Sequence, residues 1–374
     1  MTFTWGILSA ITAIFAVGYL LLKISRGVGY FGKRLSGNRR MIVTAGIAIL
    51  LFVPAAFAPR IWIIGLLHMV VLLLLSDIIA LLAKAFRKRK KVPKFWYGFY
   101  RSGFAAIILT AVLISYGYYN IYHIVRTEYT VTVEKPIREE GYKIAMLSDL
   151  HYGTTLDGAQ LKEVGYTIAE EEADIIILDG DIVDENTTFS QMREAFSILG
   201  EIPSRYGTYF VYGNHDRGTY SSNPNYTEEQ LADAISGAGI HILEDSTDVI
   251  NGELVLIGRG DSSFGDADRE SIAQLVADLD PDMTWVVLDH QPTEYEEAEK
   301  SGCDLILSGH THAGQIWPAG IFADALKLND MNYGYRKQGN LNAIVSSGVA
   351  GWGFPVRTEK HSEYVVIQMK GLPR

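Results

Sequence analysis

The sequence predicts a chain in two parts: a membrane region of about four helices over residues 1–126, then an α/β domain over residues 127–374. Three observations carry that reading. Long apolar runs fill the first third. The charge is split: residues 1–126 hold 16 Lys+Arg and one acidic residue, Asp77, whereas residues 127–374 hold 17 Lys+Arg and 42 Asp+Glu. In the last two thirds, short apolar runs alternate with helix-like stretches, and five of those runs end in metal-binding types of side chain. The charge contrast places the two parts in different surroundings. A domain this acidic argues against binding the phosphate backbone of DNA or RNA, so no nucleic-acid partner is expected.

The apolar runs cover roughly Thr4–Ile24, Met41–Ala58, Ile61–Ala83 and Gly103–Val125. Each approaches or exceeds the ~20 residues a helix needs to cross a bilayer core. The first reads as a span rather than a cleaved leader, because three more follow and no small-residue cleavage site separates them. Five Lys+Arg fall in residues 25–40 and eight in residues 84–101, while the link between the second and third runs holds only Arg60. The positive-inside rule puts both basic loops in the cytoplasm. The expectation is therefore a multi-pass protein of the cell membrane with its acidic domain extracytoplasmic. Tyr116, Tyr118, Tyr119 and Tyr122 suit an interfacial belt at the end of the last run. Asp77 lies within the third run, about a turn and a half from its basic end, where an ion pair with a lysine or arginine is expected.

The second part opens with an edge strand near Tyr129–Val133. "YKIAMLSDLHYG" (142–153) is an apolar strand ending in Asp149-Leu150-His151. A helical stretch, Gly158 to Ala173, leads to "DIIILDGDIVD" (174–184), which ends at Gly180-Asp181. A second helix, Ser190–Leu199, precedes "TYFVYGNHDRG" (208–218) with Asn214, His215 and Asp216. "TWVVLDHQP" (284–292) ends at His290, and "LILSGHTH" (305–312) at His310 and His312. Strands alternating with helices imply a largely parallel sheet, whose carboxyl ends form the ligand crevice, so the five clusters should meet. In an extended segment alternate residues face the same way, which would aim His310 and His312 at one point. The glycines before Asp181, Asn214 and His310 permit sharp turns and close backbone approach.

Asp149, His151, Asp181, Asn214, His290, His310 and His312 make seven ligands, too many for one tetrahedral ion. They suit two divalent cations sharing a carboxylate; nitrogen and oxygen donors without thiolate fit Mn, Fe, Zn or similar ions. Two ions about 3.5–4 Å apart are a standard device for polarising a phosphoryl group and activating water. The single cysteine, Cys303, excludes an intrachain disulfide and reads as a small buried residue.

The ordered set "SDLH", "GDIVD", "GNHD", "LDHQP" and "SGHTH" resembles the calcineurin-like metallophosphoesterase superfamily over roughly residues 140–370. The resemblance implies a two-sheet β-sandwich flanked by helices. It implies that Asp149, His151, Asp181 and His312 bind one metal and Asp181, Asn214, His290 and His310 the other, with Asp181 as the bridge. The family's general acid, or transition-state stabiliser, maps onto His215, with Asp216 as its expected orienter. "SGHTHAGQIWP" and "GVAGWGFPVR" (348–357) are similar to the membrane-anchored bacterial branch, in which some relatives act on lipid-linked pyrophosphates or phospholipid headgroups. Arg357, after that Gly/Trp/Phe/Pro loop, is a candidate for holding a second phosphate, because guanidinium matches phosphate bidentately.

Two functions of different class follow. One is a membrane-anchored metal-dependent phosphoesterase acting on a phosphoester or pyrophosphate of a lipid or cell-envelope substrate. The alternative is a membrane scaffold or sensor that binds a phosphorylated ligand without turnover.

Overall fold

A computed structural model describes residues 2–32, 35–86, 100, 103–264 and 269–372. It divides into two compact units, Met1–Gly117 and Tyr118–Arg374. The boundary falls earlier than 126 because the last turn of a helix belongs to the second unit.

The first unit holds α1 (Thr2–Phe31), α2 (Gly37–Phe52, running on as a 3-10 turn through Ala56), α3 (Pro59–Phe86) and most of α4 (Phe104–Tyr122). Among the described residues, three stretches are long and apolar enough to cross a membrane: Gly37–Ala56, Pro59–Leu82 and Phe104–Tyr122. The first apolar run lies inside α1. Side chains such as Ile42, Leu50, Phe57, Leu81 and Val112 are exposed, the reverse of a water-facing helix and the expected state of a lipid-facing one. Asp77 has its ion pair, and the partner is Lys23 of α1, distant in sequence; Tyr19 and Tyr100 donate to the same carboxylate at 2.8 and 3.1 Å. Most of the second basic loop, residues 87–99, lies outside the described residues.

The second unit is a sandwich of two six-stranded mixed sheets. Its strands are β1 (Ile124–Val133), β2 (Tyr142–Leu147), β3 (Ile175–Asp179), β4 (Thr208–Val211), β5 (His241–Ile242), β6 (Ser246–Ile250), β7 (Leu254–Gly258), β8 (Thr284–Leu288), β9 (Leu305–Ser308), β10 (Gly334–Gln338), β11 (Leu341–Val345) and β12 (Ser362–Gly371). One sheet runs β1-β12-β2-β3-β4-β5 and the other β10-β11-β9-β8-β7-β6. β2, β3, β4 and β5 are parallel, as are β7, β8, β9 and β11; β6, β10 and the β12–β2 pair are antiparallel. The central strands are buried on both faces, which is why they read as unbroken apolar runs. Ile175 and Ile177 face the layer between the sheets, beside Leu256, Val286 and Leu307. Ile176 and Leu178 face outward, under Leu161 of α5 (Gly158–Ala169), Phe196 of α6 (Phe189–Gly200) and Leu231 of α7 (Glu228–Gly237). The second sheet is covered on its outer face by α8 (Ile272–Leu275) and α9 (Tyr295–Lys300).

Asp157, Thr188 and Thr227 start α5, α6 and α7 with capping boxes, each closed by a glutamine three residues on, so two backbone donors are satisfied reciprocally at each start. Every central parallel strand then stops at the same edge of its sheet, and the connections from those edges carry the candidate site.

Candidate metal centre

The chain turns abruptly where the strands end. Asp149, His151, Asp181, His310 and His312 have φ of 53, 42, 52, 69 and 49°. Non-glycine residues in the left-handed region cost on the order of 1–3 kcal/mol each and gather at functional sites. The turns are tight enough to need glycine beside them. A Cβ on Gly180 would lie 2.5 Å from His290 Nδ1, and one on Gly309 would lie 2.6 Å from Asp149 Oδ2. These left-handed turns also correct the expected alternation. His310 and His312 are not extended, and they diverge into two different groups.

Asp149, His151 and His312 each offer one ligand atom within 4.8 Å of the others, and Asp181, His290 and His310 do the same. His151 Nε2 lies 3.2 Å from His312 Nε2, which is 3.5 Å from Asp149 Oδ1. Asp181 Oδ2 is 3.1 Å from His290 Nε2 and 3.8 Å from His151 Nε2, so one carboxylate oxygen stands between the groups. Asn214 Oδ1 is 2.8 Å from His310 Nδ1. Donor atoms about 2.0–2.2 Å from a shared cation lie roughly 3–3.5 Å apart, which is the spacing seen here. The residues present therefore fit two cations, with Asp181 common to both.

The surrounding contacts prepare these side chains as ligands. His290 Nδ1 donates to the carbonyl oxygen of Asp179 at 2.7 Å, which turns Nε2 toward Asp181; burial works against a charge on this ring, but the Asp181 carboxylate raises it well above the ordinary imidazole value. His151 Nδ1 is 3.4 Å from Asp184 Oδ2, which Thr154 supports from behind at 3.2 Å. Burial, then the neighbouring His151 and Arg357, push His312 well below the ordinary imidazole value; burial and His290 lower His310. Both are thereby kept in the neutral form that ligates metal.

Asp216 has a different place from the one its position beside His215 suggests. Its buried carboxylate accepts from the backbone N–H groups of Asp181, Ile182, Val183 and Gly213 at 2.7–3.1 Å, tying together the two loops that carry Asp181 and Asn214. The partner of His215 is Glu185, whose Oε1 lies 2.8 Å from Nδ1. Burial works against a charge on His215, but the Glu185 hydrogen bond and then Asp181 raise it above the ordinary imidazole value. The ring sits between Tyr220 and Trp352, with centroids 5.0 and 5.5 Å away. Sequence reasoning overlooked Glu185; the available signal was a second carboxylate directly after "GDIVD".

Arg357 also departs from expectation. It is fully buried and donates to the carbonyls of His312, at 2.8 Å, and Ala350. A guanidinium spent on backbone oxygens props the His312 turn instead of reaching toward a second phosphate.

A family model described as calcineurin-like phosphoesterase matches residues 142–314. A transmembrane protein with metallophosphoesterase domain from Danio rerio is 28% identical over 73% of this chain and 64% of its own length. An uncharacterized metallophosphoesterase of Campylobacter jejuni is 30% identical over 65% of this chain and 63% of its own. The phosphodiesterase YaeI of Escherichia coli is 30% identical over 47% of this chain and 62% of its own. The matched stretch thus spans less than two thirds of each of these relatives. Residues 142–314 include all seven of the converging residues, Asp149, His151, Asp181, Asn214, His290, His310 and His312. With the two-group geometry and the motif order in place, residues 142–314 carry a calcineurin-like phosphoesterase domain.

Proposed function

We propose that this chain is a membrane-anchored phosphoesterase with a dinuclear metal centre, acting on a phosphoester or pyrophosphate carried at or near the bilayer. The observation that carries the reading is the pair of three-residue groups joined through Asp181, with His215 and its carboxylate partner alongside. In this reading Asp149, His151, Asp181 and His312 hold one ion, and Asp181, Asn214, His290 and His310 hold the other. Two divalent ions so held supply Lewis acidity toward the phosphoryl oxygens and a nucleophile at neutral pH. The protein's own part is positional and protonic. Asp216 and Arg357 fix the loops that present the ligands. Glu185 holds His215 by Nδ1, which leaves Nε2 to deliver a proton to the departing oxygen. The membrane spans keep the reaction near lipid.

The test uses the purified full chain in detergent with bis(p-nitrophenyl) phosphate. EDTA should abolish hydrolysis and Mn should restore it. Asp181→Ala should lower the occupancy of both metals in elemental analysis, because it removes the shared ligand. Two metals bound by the unsubstituted chain with no turnover of any phosphoester would favour a phosphate-binding scaffold.

A further inference from the structure

Helix α10 (Ala319–Leu326) follows closely after His312 and has its polarity reversed for a helix on a water-soluble domain. Gly320 is its buried residue. Ile321, Phe322 and Leu326, with Leu328 just beyond, are 55, 60, 67 and 64% exposed. At about 100° per residue, Ile321, Ala325, Phe322 and Leu326 form one stripe, turned away from Gly320. An apolar stripe facing outward marks an interaction surface.

What covers it is indicated by what lies next to it in the same unit. Gly320 donates its N–H to Glu359 at 2.9 Å, fixing the start of α10 against the 351–360 loop. That loop packs on the end of α4. Asn120 Nδ2 donates to the carbonyl of Arg357 at 3.0 Å, and a Cβ on Gly351 would meet Ile121 at 2.7 Å and Gln315 at 2.8 Å. Gln315, in turn, links His312 to α10 along the chain. The body of α4 is long and apolar enough to cross a membrane, and only His123 separates its end from β1. The last turn of α4 exposes Tyr118 and Tyr119, a residue type favoured at the membrane interface. Lys327, exposed between Leu326 and Leu328, adds a positive charge to the patch, and Asp324 is exposed on the same helix. Trp352, 46% exposed, donates its backbone N–H to Gln315 Oε1 at 3.0 Å and brings its ring within 5.5 Å of that of His215. Exposed apolar side chains with a lysine among them, linked through the 351–360 loop to the end of a helix apolar enough to span, have the chemistry of a segment that lies in a bilayer surface.

We propose that Ile321, Phe322, Leu326 and Leu328 insert into the surface of the bilayer on the side where the catalytic unit lies. The contact draws the His312 side of the metal centre to the lipid headgroups, and the phosphoester acted on is one borne by a lipid in that surface. The substrate half of this inference rests on the phosphoesterase reading; the membrane contact does not.

Two arms test it, both with the full chain in phosphatidylcholine–phosphatidylglycerol nanodiscs. In the first, Cys303→Ser removes the native thiol and Phe322→Cys carries a fluorophore. Bromine on the lipid acyl chains should quench the label several-fold more strongly than iodide in the water. Stronger quenching by iodide, or protection from both quenchers as a second copy would give, overturns the proposal. In the second, Ile321→Ser, Phe322→Ser and Leu326→Ser are combined. With Mn present, hydrolysis of a phospholipid in the disc should fall at least tenfold, and hydrolysis of soluble bis(p-nitrophenyl) phosphate should stay within twofold. An unchanged rate on the bilayer substrate overturns the proposal. If the unsubstituted chain turns over neither substrate, the phosphoesterase reading fails, and the quenching arm still decides the membrane contact.

Discussion

His215 and Glu185 show how a hydrogen-bonded pair is assembled from residues that no local pattern connects. They are held 2.8 Å apart by two different loops, whereas Asp216, the next residue to His215, turns inward to four backbone donors. Neighbours on a turn diverge, so proximity in sequence was a poor guide to the orienter. The convergence of the seven ligand-type residues was legible, because each follows an apolar run that stops at a sheet edge. Arg357 was not legible, since its burial depends on a loop packing that the sequence does not announce. If His215 delivers a proton, His215→Ala should keep both metals and lose about 10²–10⁴-fold in rate. Glu185→Gln should lose less, about 10–100-fold, the scale at which removing a histidine's orienting partner is felt. Both losses should be larger for an alkyl-leaving phosphodiester than for a nitrophenyl one, because an alkoxide needs the proton and a nitrophenolate hardly does. Steady-state rates on the two substrates check this, and equal losses would assign His215 to charge stabilisation on the phosphoryl oxygens.

Among elements, the parallel strands β2, β3, β4, β8 and β9 and the helices α5 and α6 were readable from their apolar runs and spacing. The order of strands was not. Periodicity reports which faces are buried and is silent on which strand lies beside which. So β12, the last strand in sequence, sits between β1 and β2 without any local sign of it. Glu363 of β12 is the polar lock of that arrangement. It is buried, it contacts Thr127 of β1, and it accepts from Ser347 N–H at 2.9 Å and Tyr333 O–H at 3.0 Å, with His361 Nε2 at 3.2 Å. Burial works to raise its carboxyl, but His361, Thr127 and Ser347 hold it below the ordinary glutamate value. A carboxyl lowered on folding stabilises the fold above its unfolded value, and that contribution is lost as pH falls through the folded value. Glu363→Gln should therefore cost about 1–3 kcal/mol near neutrality. The gap in Tm between the two proteins should narrow as pH falls below about 4. A gap independent of pH would mean that the charge of Glu363 contributes nothing.

At the scale of the whole molecule, the charge contrast between residues 1–126 and 127–374 predicts two environments. The basic loops further predict that the acidic unit lies outside the cytoplasm. With Cys303→Ser in place, a cysteine at Asn186 should react with a membrane-impermeant thiol reagent in intact cells, and one at Lys90 should react only after permeabilisation. The reverse pattern would put the metal centre in the cytoplasm.

The parallel pairing of β1 with β12 bears on how the protein is made. It joins Ile124–Val133 to Ser362–Gly371 in register along ten residue pairs, so the strand that emerges first from the ribosome in this domain waits for the one that emerges last. A nascent chain that has reached His361 already contains every candidate metal ligand but leaves β1 and β2 each without the neighbour between them. Until then their unpaired edges are open to other chains, and a truncated product would be recognised by its unfinished sheet before its chemistry could matter.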